Sequence, residues 1–252
     1  MNSLIVGRRP VLEALKAGTL IERIVLLPGV RGDIINDITL LAQQLKIPIS
    51  LSNRQEFRTL ASDVTTQGIV AVVAQRHSST VEDILARAEG RHESGFIVVL
   101  DEIEDPHNLG ALIRSAECCG AHGVVLPKHH SAPINAASIK AAAGATEHLP
   151  IAEVTNLSTT LDDLKRSGYW VVGLDMGGDK MYTEVDYRTP IIVVVGNEGK
   201  GIRRLVREHC DFVAHIPLFG KVDSLNASVA GALVMFEVVR QRKHLDPERR
   251  VG

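Results

Sequence analysis

The sequence predicts an α/β protein of two domains, the larger built on a parallel sheet covered by helices on both faces. Three observations carry that expectation. Apolar runs of strand length recur at Phe96–Leu100, Val124–Leu126, Trp170–Leu174, Ile191–Val195 and Phe212–Ala214, with helical segments between them. Strands buried on both faces read as unbroken apolar runs, because crossover helices cover a parallel sheet on each side. The first 75 residues instead alternate shorter helix and strand signals. Between the two patterns lies Arg76-His77-Ser78-Ser79-Thr80, polar and without apolar periodicity, which is the composition of a domain boundary.

In the N-terminal part, Pro10–Ala17 reads as a helix with Val11, Leu12 and Leu15 on one side and Gly18 as its stop. Ile24–Leu27 is a short strand closed by Pro28-Gly29. Ile34, Ile38, Leu41 and Leu45 recur at helical spacing; Ile49–Leu51 is extended, Arg54–Leu60 a short helix, and Ile69–Ala74 a β-branched run. Residues 1–75 thus predict a compact α/β sandwich of about four strands. Its polar connections, such as Asn53-Arg54-Gln55 and Thr65-Thr66-Gln67-Gly68, suit RNA contact or plain turns equally. Residues 76–94 read as a linker carrying a short amphipathic helix, Val81–Ala88, and residues 95–252 as the second domain.

The totals narrow the class. Hydrophobic residues are 45% and charged residues 23% of 252, the balance of a soluble globular protein. No apolar run is long enough to span a bilayer, and the N-terminus lacks a basic leader with an apolar core, so a cytoplasmic protein is expected. Cys118, Cys119 and Cys210 form no C-x-x-C, which argues against disulfide and zinc frameworks and fits a reducing compartment. No His supports the acidic residues around Asp101–Asp105 at ligand spacing, so no metal is expected. A net charge of −2 excludes a wholly basic surface but not a local basic patch. Arg203, Arg204 and Arg207 cluster, as do Arg240, Arg242 and Lys243, though such clusters are commonly solvated helix faces.

Ligands of parallel sheets bind beyond the C-terminal strand ends, and three loops there carry distinctive residues. After Leu100 comes Asp105-Pro106-His107-Asn108-Leu109-Gly110, with Asp105 placed to cap a helix, Pro106 at its first position, and Arg114 nearly two turns on. Leu109, Leu112, Ile113 and Ala116 would face the sheet. After Val195 comes Gly196-Asn197-Glu198-Gly199-Lys200-Gly201, whose glycines allow close backbone approach. It is neither a Walker A loop nor a dinucleotide fingerprint. After Ile216-Pro217 comes Ser224-Leu225-Asn226-Ala227-Ser228, small hydrogen-bonding side chains at a helix N-terminus, where orphan amides suit polar or anionic ligands or an ordinary cap.

Together, and in this order, the three loops resemble motifs one, two and three of the SpoU–TrmH RNA ribose 2′-O-methyltransferases of the SPOUT superfamily. The resemblance covers the whole C-terminal domain. The N-terminal domain is similar to the ribosomal-protein-like RNA-binding module of the branch that methylates a guanosine of large-subunit (23S) rRNA. Val125-Leu126-Pro127-Lys128, Ala143-Gly144-Ala145-Thr146-Glu147, Arg203-Arg204-Leu205 and Val238-Val239-Arg240-Gln241-Arg242 also match that branch.

The resemblance implies a deep trefoil knot in the C-terminal domain, S-adenosyl-L-methionine as methyl donor, a ribose 2′-hydroxyl as acceptor and a homodimer. In this reading Gly196, Ile216 and Leu225 hold the cofactor through backbone groups and close packing, Leu174 closes the pocket, and Asn226 also binds the cofactor. Any side chain at position 196 would stand between backbone and cofactor. Arg114 is the decisive catalytic residue, either stabilising the developing charge or acting as a neutral base, and a permanently protonated guanidinium favours the first. Asn108 orients the target nucleotide, Glu198 holds the motif-two loop and Arg114, Ser224 and Asn226 lie near the reacting hydroxyl, and Ser228 caps the final helix. Val229, Leu233 and Phe236 would supply the dimer contact. The partner is 23S rRNA or a ribosomal assembly intermediate; a tRNA ribose 2′-O-methyltransferase and a non-catalytic RNA-binding ribosome-assembly factor are the alternatives.

Overall fold

The computed structural model describes residues 4–53, 55, 57, 66–73 and 79–242. Most of the helix expected over Arg54–Leu60, and the boundary residues Arg76–Ser78, lie outside these. The chain divides into two compact units, Met1–His77 and Ser78–Gly252.

The first unit holds strands β1 (Leu4–Val6), β2 (Ile21–Leu26), β3 (Ile49–Leu51) and β4 (Ile69–Val73), with helices α1 (Arg8–Lys16) and α2 (Asp33–Gln44). The sheet order is β1-β4-β2-β3, with β4 antiparallel to both neighbours and β3 parallel to β2. Val11, Leu12 and Leu15 are buried on α1, as their spacing requires. On α2 the buried residues are Ile35, Ile38 and Ala42; of the predicted series Ile38 is fully buried, Ile34 and Leu41 pack half-buried against the same core, and Leu45 does not join it. Leu45 falls just past the helix end and is 45% exposed, while Ala42 is fully buried.

The second unit is built on β5 (Phe96–Leu100), β6 (Gly123–Pro127), β7 (Ile151–Val154), β8 (Trp170–Leu174), β9 (Lys180–Met181), β10 (Ile191–Val195) and β11 (Phe212–His215). These seven strands are all parallel, in the order β7-β6-β5-β10-β8-β11-β9. Helices α3 (Val81–Gly90), α4 (Pro106–Cys118), α5 (Ala136–Ala142), α6 (Leu157–Arg166), α7 (Arg204–Arg207) and α8 (Ala227–Arg242) cover it. Alternate strand residues go to opposite faces. Phe96, Val98 and Leu100 with Ile191, Val193 and Val195 pack toward α4 and α8, whereas Ile97, Val99, Ile192 and Val194 pack toward α3 and α6. Helix α3, which the sequence places in a linker, thus belongs to the second unit: Ile84 is fully buried on the sheet, and Thr80 and Asp83 form its capping box.

Leu109, Leu112, Ile113 and Ala116 are buried on α4, and truncating such a leucine to alanine costs about 2–5 kcal/mol. Gly231 of α8 faces Leu112, and a Cβ there would stand 2.5 Å from that side chain, so the glycine sets how closely α8 approaches α4. The register places Leu100, Val195 and Leu174 side by side across β5, β10 and β8, with Ala214 of β11 opposite Leu174. Four strands therefore end level, and the loops of interest leave from that common edge.

Candidate active site

Beyond the level strand ends lies a cleft of about 370 Å³. Leu174, Val195, Ile216, Leu218 and Leu225 give it apolar walls, the backbone of Gly196–Gly201 forms one side, and Asp175, Asp223 and Ser224 also line it. Of the predicted cofactor residues, Gly196, Ile216, Leu225 and Leu174 all border this cleft. Asn226 is not among its lining residues but sits between Leu225 and Ala227, which are.

The Gly196–Gly201 loop is closed on itself. Asn197 and Gly201 exchange backbone hydrogen bonds at 3.0 and 2.9 Å, and the Asn197 Oδ1 accepts from the amides of Gly199 and Lys200. A Cβ on Gly196 would fall 2.4 Å from the Gly201 carbonyl group. Position 196 therefore needs glycine because the loop folds back over it, independently of any ligand in the cleft. A one-turn helix, α7, follows only at Arg204, so Gly201 does not itself open a helix.

Two ion pairs fasten this loop, and both involve residues that sequence reasoning left aside. Asp101, directly after β5 and fully buried, accepts from the Arg203 backbone amide at 2.9 Å and from its Nε and Nη2 at 2.7 Å. Asn197 Nδ2 also donates to the Glu102 carbonyl at 3.1 Å. Asp175, after β8, accepts from Arg207 Nη1 at 2.7 Å, and Arg207 Nη2 donates to the Gly177 carbonyl at 2.8 Å. Two members of the arginine cluster thus serve as anchors rather than as a solvated face. The available signal was an acid directly after each buried strand with arginines spaced one turn apart.

Glu198 joins the three loops. Its Oε1 accepts from Asn108 Nδ2 at 2.7 Å, from Asn226 Nδ2, and from the Ala227 backbone amide at 3.2 Å. Asn226 Nδ2 also donates to Asn108 Oδ1 at 3.0 Å. A carboxylate beside the first amide of α8 is further favoured by the helix dipole. Asn108 is positioned by α4, whose N-terminus is fixed as predicted: Asp105 accepts from the His107 amide at 3.1 Å and Pro106 occupies the first turn.

The capping of α8 differs from expectation. Asn226 Oδ1 accepts from the Ser228 and Val229 amides at 2.9 and 3.3 Å, so Asn226 is the cap. Ser228 lies inside the first turn and donates its hydroxyl to the same oxygen at 2.5 Å. The helix starts earlier than its apolar residues imply. Arg114 also stands apart from its expected partner: it is exposed on α4 and makes no hydrogen bond or ion pair among the described residues, while Glu198 is engaged by the two asparagines. Six residues separate Arg114 from Asn108, about 9 Å along the helix axis. Ser224 is exposed at the cleft. Among the described residues no group of three or more His, Cys, Asp or Glu is placed to hold a metal ion.

An adenosine-containing thioether or sulfonium fits these walls. Apolar side chains suit the base and the aliphatic chain, and the backbone of Gly196–Gly201 offers amides and carbonyls at close range. Known proteins point the same way. A model of the SpoU rRNA methylase family matches residues 95–236, and a model for RNA 2′-O ribose methyltransferase substrate binding matches residues 4–79. YacO of Bacillus subtilis (strain 168), assigned to the TrmH family of tRNA/rRNA methyltransferases, is 39% identical over 241 residues, 96% of each chain. The SpoU methyltransferase AviRb of Streptomyces viridochromogenes, solved with the cofactor AdoMet, gives a TM-score of 0.62 at 26% identity, covering 95% of this chain and 90% of its own. An AdoMet-bound rRNA methyltransferase of Sinorhizobium meliloti gives 0.60 at 25% identity, covering 94% and 86%. The matches to the two units agree: the chain belongs to the SpoU rRNA methylase family, in the wider TrmH group of tRNA/rRNA methyltransferases, and transfers methyl from S-adenosyl-L-methionine to a ribose 2′-hydroxyl of RNA.

Proposed function

We propose that the acceptor is a guanosine of large-subunit (23S) rRNA, carried as RNA or as a ribosomal assembly intermediate in the cytoplasm. The observation that carries this reading is the N-terminal unit. The substrate-binding model matches it, and the likeness to the S. meliloti rRNA methyltransferase extends over 94% of the chain. The bound cofactor supplies an electrophilic methyl group, and the chain's own task is to bring a poor nucleophile to it in line.

In this proposal Leu174, Gly196, Ile216 and Leu225 hold the cofactor, with Asn226 at its margin. Asn108 orients the target nucleotide from the first turn of α4, and Ser224 and Asn226 face its ribose. Arg114, exposed and without a partner among the described residues, is free to grip the substrate phosphate and stabilise negative charge developing on the 2′-oxygen. Glu198 acts through the two asparagines, fixing their amide orientations rather than holding the arginine. The segment after β11 returns to the cleft lined by the Gly196–Gly201 loop, which is what supports the deep trefoil knot that the resemblance implies. A homodimer through α8 is supported by its exposed Val229, Leu233 and Phe236.

Mapping 2′-O-methylated riboses in RNA from a deletion strain tests the substrate. Loss at one 23S guanosine, restored by the wild-type gene, is the expected result. Loss confined to tRNA would transfer the assignment to tRNA.

A further inference from the structure

The chain's net charge of −2 hides a separation of charge: residues 1–77 hold nine Lys and Arg against six Asp and Glu, within totals of 28 and 30. The positive surplus is therefore confined to the N-terminal unit. Part of it lines two adjoining grooves of about 680 and about 700 Å³ that share Arg8 and Gln67. Arg9 lies on one and Arg31 on the other, and both are exposed with no side-chain hydrogen bond or ion pair among the described residues.

Arg8, between them, is held rather than free. Its Nε donates to the Gln67 carbonyl and its Nη1 to the Arg31 carbonyl, each at 3.3 Å, while its backbone amide donates to Gln67 Oε1 at 3.1 Å. A guanidinium already fixed by two carbonyls loses little freedom when it meets an anion, and its planar fork matches a phosphate. The walls around it are glycine-rich backbone at Gly7, Gly29 and Gly68, which permits close approach by a ligand. The carboxylate nearest in sequence to Arg31 is Asp33, in the first turn of α2.

We propose that this arginine-lined double groove grips the sugar–phosphate backbone of the RNA substrate, with Arg8 as a preorganised anchor and Arg9 and Arg31 as flanking phosphate ligands. The inference rests on the RNA reading above and adds where the N-terminal unit takes hold. Interactions of this type position an RNA without reading its sequence, so nucleotide choice is left to the catalytic unit.

The test uses the full-length Arg9→Gln/Arg31→Gln double variant, with transcribed 23S rRNA and a tRNA transcript as probes. Removing one arginine–phosphate pair lowers the slope of log K against log salt by about 0.7–0.9. The expected result is a slope reduced by about 1.5, and about tenfold weaker 23S binding at low salt. Cofactor affinity by calorimetry and the single-turnover rate at saturating RNA should stay unchanged, and Arg9→Lys/Arg31→Lys should restore the slope. Wild-type slope and affinity in the Gln variant overturn the proposal, as does a lower rate at saturating RNA with unaltered binding. A wild-type enzyme that methylates tRNA but not 23S rRNA refutes the proposed substrate and leaves the groove to be judged on the tRNA slope alone.

Discussion

Arg114 is distinguished by what does not touch it. It projects from α4 into solvent, while Glu198, its expected partner, is taken up by Asn108 and Asn226. An exposed guanidinium without a partner among the described residues suits recognition of phosphate and developing oxyanion charge, which needs a planar fork. Arg114→Lys is accordingly expected to reduce turnover about a hundredfold or more with cofactor affinity unchanged, as removing an oxyanion donor does elsewhere. Near-normal turnover with an unaltered pH profile in a methyl-transfer assay would remove Arg114 from either catalytic role. A second residue gives a pH test of stability. His122 is 1% exposed, its Nδ1 accepts from the Phe96 amide at 3.0 Å, and Nε2 lies 3.2 Å from Glu93. Burial holds its pKa below the ordinary histidine value, against the opposing pull of Glu93. A depressed folded pKa means that the unfolded chain takes up the proton first. Its contribution is therefore complete above about pH 6.5 and is lost as pH falls toward the folded value. The thermal midpoint of the wild type should drop more between about pH 7 and about pH 5 than that of His122→Gln, whose carboxamide oxygen can still accept from Phe96. Equal drops would show that His122 does not carry this dependence.

At the scale of elements, the Gly196–Gly201 loop and the N-terminus of α8 are interlocked through Glu198, so a change in one moves the other. Gly196→Ala would force its Cβ against the Gly201 carbonyl and displace both. Cofactor affinity should fall about tenfold or more, read by calorimetry, with the thermal midpoint falling less than for a core truncation. Retained affinity would show that the loop's closure is not needed for binding. The elements most visible in the sequence were those with strong, continuous patterns. Phe96–Leu100, Trp170–Leu174 and Ile191–Val195 match β5, β8 and β10 because no polar residue interrupts them and, except at the ends of β8, both faces are buried. Strands β7 and β9 escaped notice because they stand at the sheet's edges, one carrying the exposed Glu153 and the other only two residues long. The site showed the same division. Short motifs disclosed Asn108, Glu198 and Asn226, but only tertiary structure pairs Asp101 with Arg203, 102 residues away.

For the whole molecule, assembly has a direct physical handle. Val229, Leu233 and Phe236 recur on one stripe of α8 and are 49%, 41% and 53% exposed. If two chains pair there, Phe236→Asp should yield a monomer in sedimentation velocity and lose methyl transfer. A wild-type monomer with full activity would defeat the proposed dimer. The charge separation between the units belongs to this scale too, since it lets a chain of slight negative charge approach RNA with its positive part leading.

The strand order of the larger sheet bears on how the protein is made. Strand β10 lies between β5 and β8 yet is synthesised after both, and β11, which links β8 to β9, comes later still, so until Ile191–Val195 is available only β7-β6-β5 can pair and β8 stands alone. Phe96–Leu100 then carries one unpaired edge of apolar residues and Trp170–Leu174 carries two. Such edges invite pairing with other chains, and distant pairings form slowly. A nascent or prematurely terminated chain ending before residue 191 is thus the aggregation-prone species; one five-residue strand then covers the β5 edge and one edge of β8, and β11 covers the other.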